Sequence, residues 1–354
     1  MDRAAPMLSS LLQEAGYTTG AVTGKGWVTD ALGFSQGFDH FKDRGYLPDA
    51  LEWINANDDR PFFFFYHTYI VHAPYQYRTF AREYDPGRFE EIYNAQRAGG
   101  DLHMDLCCRN TEVTPSEKEF LLALYDGGIA KADEQVAEIL AALEKFELLS
   151  NTIIIVTSDH GEEFWEHTGR AAYHGHTLYD ELLRIPLIWV DPAIPSEQRV
   201  VSVPVSLVDL VPTLLARVGL KPPGPLDGED LQPLLSGGDW AKDRALFGEA
   251  VRHGPHRFSV QTPDAKLIVT PDVETQNGEG TRYPVPVPAT RELYLADDLR
   301  EQRNVISTQP ALERDLLDRL ERHLAKRAKI VPDSENVPLD DETIENLRSL
   351  GYLQ

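Results

Sequence analysis

Side chains able to do chemistry are densest in one stretch, residues 153–191, IIIVTSDHGEEFWEHTGRAAYHGHTLYDELLRIPLIWVD. Asp159 and His160 set a hard carboxylate oxygen beside a borderline imidazole nitrogen, a donor pair suited to a divalent metal ion. The same pair following a strand also suits a plainer role, a helix cap next to a surface imidazole. His167, His174 and His176 follow in a loop rich in Glu and His. A second place of interest is His72. It lies shortly after the apolar run PFFFFY at 61–66, in the string HTYIVHAPY, where Pro74 rules out continued strand pairing.

The elements around these residues must position them. The run Ile153-Ile154-Ile155-Val156 predicts a fully buried strand of the kind found inside a parallel sheet. It would deliver Asp159 and His160 to its carboxyl end, where open α/β sheets bind ligands. Gly161 then lets the backbone turn. A second apolar run at 185–190 predicts another strand, with Pro186 at its start. Upstream, residues 6–15 predict a helix ended by Gly16, and residues 18–22 a short strand with Gly24-Lys25-Gly26 at its carboxyl end. Residues 78–114 have little periodicity and read as a surface excursion. A long helix follows, with Ser116 as N-cap and Glu119 completing a capping box. Residues 206–218 predict a helix ended by Gly219; Pro212 either kinks it or marks its true first turn. Asp209 reads as a hydrogen-bonding group at the helix end. Pro and Gly cluster at 221–238, a candidate linker. Short alternating strands between 244 and 305 predict a small antiparallel sheet, and residues 309–329 an amphipathic helix.

Composition narrows the class. The 354 residues allow one large domain, or one large and one small. With 57 acidic against 34 basic residues the net charge is −23. No stretch gathers Lys and Arg into a nucleic-acid patch, and the overall field repels polyanions. Cys107 and Cys108 are adjacent, which does not favour an ordinary structural disulfide, so they read as loop thiols. No apolar run approaches membrane-spanning length, and the chain starts into a helix rather than a signal peptide.

The ordered string Thr-Ser-Asp-His-Gly-Glu, Glu-His, His-Gly-x-Thr-Leu-Tyr-Asp-Glu and Arg-x-Pro-Leu-Ile resembles the metal-binding segment of the sulfatases, members of the alkaline phosphatase superfamily. Ala15-Gly16-Tyr17-x-Thr, Gly33-Phe34-x-x-Gly37-Phe38-Asp39, Leu226-Asp227-Gly228, Glu292-Leu-Tyr and Glu301-Gln-Arg-Asn304 extend the resemblance over most of the chain. It implies an α/β fold of the alkaline-phosphatase kind: a large, mostly parallel or mixed central sheet flanked by helices, and a small carboxyl-terminal antiparallel subdomain. The implied boundaries are 1–240 for the α/β core, 241–330 for the subdomain and 331–354 for a tail helix.

The resemblance also implies roles. Asp159 and His160 would be metal ligands. His174 would stand beside the sulfate group, with His176 a weaker rival, and His72 would serve the leaving oxygen. Lys25 falls near the position of a sulfate-contacting lysine, although Trp27 stands where the common form has histidine. Glu162 and His167 would orient the ligands, and Arg184 would anchor the loop to the sheet. The implied cofactor is a divalent cation, calcium first, with manganese, magnesium or zinc as alternatives. The implied substrate is a sulfate ester, as a small molecule or a glycan, with no nucleic acid partner. Relatives are mostly periplasmic or secreted; the compartment and oligomeric state of this chain stay open.

The family's nucleophile lies in Cys/Ser-x-Pro-Ser-Arg, a string that no part of this sequence matches; Cys107-Cys108-Arg109 departs from it. Three expectations follow. The first is the downstream portion of a metal-dependent sulfate ester hydrolase, a truncated chain whose lost start would carry the formylglycine nucleophile. The second is a relative acting on phosphorus: a phosphonate or phosphodiester hydrolase, or a phosphoethanolamine transferase. The third is a non-catalytic binding or vestigial homologue.

Overall fold

The computed structural model describes residues 7–24, 26–56, 60–84, 87, 113–167, 171–194, 200–238, 240, 243–250, 256–271 and 290–327. Lys25, Cys107, Cys108 and the tail at 331–354 lie outside the described residues. The fold is α/β, and the chain divides into two compact units.

The first unit carries a parallel three-stranded sheet. Strand β1 (Thr18–Thr23) lies between β2 (His40–Lys42) and β3 (Phe62–His67). Helix α1 (Leu8–Glu14) precedes β1 and stops at Gly16, whose φ of +89° needs a residue without Cβ. Helix α2 (Leu47–Asn55) packs on β1, and the long α3 (Pro115–Lys145) packs on α2. Helix α3 starts two residues earlier than the sequence suggests. Its N-cap is Thr114, which accepts the Glu117 amide while Glu117 accepts the Thr114 amide at 2.8 Å. Pro115 causes the difference: with no N–H and a fixed φ it fits the first helical position, leaving Thr114 as the cap.

The second unit begins with β4 (Ile154–Thr157), which pairs antiparallel with β7 (Leu187–Val190), from Ile154 against Val190 to Thr157 against Leu187. This corrects the expectation of a fully buried strand inside a parallel sheet, since β4 is only partly buried. Among the described residues no long crossover helix separates β4 from β7; the four-residue α4 (Asp180–Leu183) lies between them, and a connection of that kind suits an antiparallel return. Pro186 immediately precedes β7, as expected, and its carbonyl accepts the Thr157 hydroxyl at 2.8 Å. Between β4 and α4 sits a small hairpin, β5 (Glu163–Phe164) with β6 (Ala171–Tyr173).

The predicted antiparallel sheet is present, in the order β11 (Thr290–Leu295), β10 (Ala265–Thr270), β9 (Arg257–Gln261), β8 (Leu246–Ala250). Alternation along β10 sorts its side chains onto two faces. Leu267 packs with Val260, Leu293, Leu316 and Leu320, the last two from the closing helix at Pro310–Arg327. Its neighbour Ile268 packs on the other face with Leu178, Ala250 and Tyr294.

Helix α5 (Leu210–Arg217) is preceded by a 3-10 turn at Leu207–Asp209, so Pro212 sits in the first turn and causes no kink. Asp209 is fully buried. It accepts the amides of Ser206 at 2.7 Å and Glu229 at 2.9 Å, and both terminal nitrogens of the Arg244 guanidinium.

Candidate functional site

The second unit gathers Asp159, His160 and His174. Strand β4 ends at Thr157, and Asp159 follows with its side chain about three-quarters exposed. The His160 ring turns back so that Nδ1–H donates to the Gly161 carbonyl at 2.8 Å, which leaves the lone pair on Nε2. Nε2 lies 3.8 Å from the Asp159 carboxylate. The His174 ring stacks on His160 with centroids 4.0 Å apart. Its Nδ1 faces Glu162 at 3.0 Å, so a carboxylate that is 5% exposed sets its orientation.

Glu162 therefore orients His174, whereas the sequence suggested orientation of the ligands themselves. His176 does not share this surface. It is buried, with Nε2 against the fully buried Glu163 at 2.7 Å, and its carbonyl accepts from Arg257. Neighbouring glutamates thus hold alternate histidines, and Gly175, at φ +77°, provides the backbone turn between them.

Gly161 is needed for a different reason from the one its sequence suggests. It does not adopt a positive φ; a Cβ there would overlap the Glu181 carbonyl oxygen of α4. The Gly161 amide donates to the Leu182 carbonyl at 2.8 Å. The turn carrying Asp159 and His160 therefore rests on α4.

Helix α4 is held in turn by buried charge. Glu301, 4% exposed and at φ +50°, accepts the Asp180 amide at 2.7 Å. Lys266 of β10 reaches both Asp180 and Glu301 at 2.6 Å. Burial raises the Glu301 carboxyl above the ordinary glutamate range, against the pull of Lys266. His167 donates to Glu181 through Nδ1 and to the Glu301 carbonyl through Nε2 at 3.1 Å, and it stacks on Tyr179 at 3.7 Å. Burial opposes a charge on His167, but the Glu181 hydrogen bond, the Glu301 carbonyl and both carboxylate charges prevail and push it up to about 9. Tyr179 and Tyr294 both donate to Glu292, at 2.6 and 2.8 Å, and burial with that carboxylate moves both phenols upward.

Sequence reasoning missed Lys266, Asp180 and Glu292 as part of this surround. A signal existed for Lys266: it is a lysine inside AKLIVT, two residues from Ile268 and so on the same strand face. Arg184 is the C-cap residue of α4, and its amide donates to Asp180 at 2.8 Å.

His72 belongs to the first unit, beyond the end of β3. Its Nδ1 meets the Ala73 carbonyl at 2.6 Å, so any proton it gives or takes passes through Nε2. Among the described residues no three His, Cys, Asp or Glu side chains group closely enough to hold a metal ion unaided. Asp159 and His160 nonetheless fit as two donors of a divalent site: one is a carboxylate open to solvent, the other an imidazole whose tautomer is fixed for ligation.

Residues 2–220 match the family model for Sulfatase. The chain is similar to arylsulfatase K of Canis lupus familiaris, 39% identical over 129 residues, which is 36% of this chain and 23% of that protein. Arylsulfatase K of Danio rerio is 34% identical over 217 residues, 60% of this chain and 38% of that protein. The matched stretch thus spans about a quarter to two-fifths of these relatives. Among solved structures, one is of a protein in complex with its substrate D-glucosamine-2-N,6-O-disulfate. It superposes with a TM-score of 0.67 at 20% identity, covering 95% of this chain and 85% of that one. A phosphonate monoester hydrolase from Silicibacter pomeroyi gives 0.66 at 19% identity, covering 94% and 81%. At such identities these superpositions speak to the fold.

Proposed function

Because the chain belongs to the sulfatase family of the alkaline phosphatase superfamily, we propose that it serves the hydrolysis of sulfate esters, with Asp159 and His160 as two donors to a divalent cation. The observation that carries this reading is the His160–His174 stack beside Asp159. It brings a metal-type donor pair and an anchored imidazole onto one surface. When bound, the cation would draw charge from the nonbridging oxygens of the sulfate group. Calcium is the favoured ion on the family resemblance, with manganese, magnesium or zinc as alternatives.

The residues of the chain have separate tasks. His160 donates Nδ1–H to the Gly161 carbonyl and so presents Nε2. His174, oriented by Glu162, stands to receive the sulfate oxygens. His72 and Lys25 join the proposal through the sequence resemblance alone, as the group serving the leaving oxygen and as a sulfate-binding cation. No residue of this chain is proposed as the nucleophile. The substrate named for the glucosamine disulfate complex suggests sulfated sugars as the class to test first.

A titration of Mn2+ into the chain tests the reading, with 4-nitrophenyl sulfate added afterwards. Asp159→Asn should weaken Mn2+ binding at least tenfold, and His174→Ala should weaken the sulfate ester while leaving Mn2+ in place. Equal affinities in wild type and Asp159→Asn would sink the metal assignment. A second reading, phosphonate monoester hydrolysis, draws on the similar TM-score to the phosphonate hydrolase. Tighter competition by phenyl phosphonate than by 4-nitrophenyl sulfate would favour it.

A further inference from the structure

We infer that the cluster of the buried Lys266 and Glu301 with the partly buried Asp180 is a positioning device for the turn that carries Asp159 and His160. Four contacts in series support this. Lys266 projects from β10 on the face shared with Ile268, and its side chain is 4% exposed. Its ammonium reaches two carboxylates at 2.6 Å, one on α4 and one just after β11. The Glu301 carboxylate also accepts the first amide of α4. Helix α4 then holds Gly161 by the Leu182 carbonyl, and leaves no room for a side chain there.

A helix of four residues cannot hold its own shape, because nucleating one turn fixes many dihedrals for a single hydrogen bond. Something else must fix α4: Leu182 is buried beneath it, and the side-chain partners of Asp180 and Glu181 are charged or polar. Glu181 is tied to His167 on its outer turn, and Asp180 to Lys266. A buried ion cluster is weak evidence for stability; its role here is to fix register, because shifting α4 would leave Lys266 and Glu301 buried without their partners. The small sheet thereby sets the orientation of donors that lie more than a hundred residues upstream. Lys266, Asp180 and Glu301 are positioning residues: they act on the turn through Gly161 and touch neither metal nor substrate.

The inference concerns the turn itself, and its link to metal binding rests on the reading proposed above. Two variants test it, Lys266→Met and the double Lys266→Met/Glu301→Gln. Amide hydrogen exchange is read at Gly161 and, as a reference, at Leu267 in the sheet core, alongside the thermal unfolding midpoint and Mn2+ affinity. The single variant should unfold at lower temperature and exchange Gly161 at least tenfold faster relative to Leu267. Of the two carboxylates left unpaired, the double variant removes Glu301, the more buried one, and should recover most of the midpoint, yet keep the fast Gly161 exchange and the weak Mn2+ binding. Gly161 protection that returns together with the midpoint would overturn the inference, because the cluster would then contribute stability alone. If the single variant does not fold, the double variant carries the comparison. A wild-type chain that binds no Mn2+ would overturn the metal assignment, and the Gly161-to-Leu267 exchange ratio would still decide the positioning claim.

Discussion

At the scale of single residues, the histidines of the second unit divide by what their nitrogens meet. His160 and His174 each commit Nδ1 to a neighbour close in the fold, whereas His167 commits both nitrogens to acceptors and so carries a charge. Its pKa, about 9 when folded, exceeds the ordinary 6.5, so it takes up a proton more readily folded than unfolded. The stability it contributes is therefore complete below about pH 6.5 and is lost as pH rises through about 9. Denaturant unfolding at pH 6 and pH 10 should differ on the order of 2 kcal/mol from this group, after discounting for coupling to Glu181. His167→Gln should flatten that dependence, and an unchanged slope would show that other groups set it. Sequence alone singled out His167 but not its partners, because Glu181 and Glu301 lie 14 and 134 residues away. The role of Gly161 was likewise hidden: a close backbone approach leaves no mark in the sequence beyond the glycine itself.

At the scale of elements, local chemistry was legible and pairing was not. The first helix and its stop at Gly16, the strands at 18–23 and 62–67 and the four strands of the small sheet follow from periodicity and turn residues, whereas α2 was not anticipated. The antiparallel return of β7 onto β4 does not, since an apolar β-branched run reads alike in either direction. The misplaced cap of α3 shows how fine the distinction is. Thr114-Pro115-Ser116-Glu117 offers two hydroxyls for one cap, and proline decides between them. Thr114→Ala should therefore cost about 1 kcal/mol in unfolding free energy, and Ser116→Ala only a few tenths. Equal losses from the two, measured by urea unfolding, would contradict the assignment.

At the scale of the whole molecule, the net charge of −23 opposes the approach of any anionic substrate, including a sulfate ester. Screening relieves that repulsion as the Debye length falls from about 30 Å at 0.01 M salt to about 8 Å at 0.15 M. Association of a sulfated oligosaccharide should thus quicken with added salt in stopped-flow measurements. A rate that falls with salt would mean that local positive charge at the site outweighs the global field. The family was legible from motif order, since the pieces that carry it are short and polar and keep their spacing. The surround of the site was not, because it is made by β10 and the residues after β11, which the sequence places far from the motif. Asp209 offers a last consequence. Its carboxylate receives Ser206, Glu229 and Arg244 together, and a Cβ on Gly228 would strike the Val208 carbonyl. The stretch from 210 to 228 therefore leaves and returns to a single point. For protein engineering the replaceable part is the exposed run 221–227, since Thr213 and Leu215 of α5 are fully buried; a foreign insert there would leave Asp209, Gly228 and Arg244 to close the clasp.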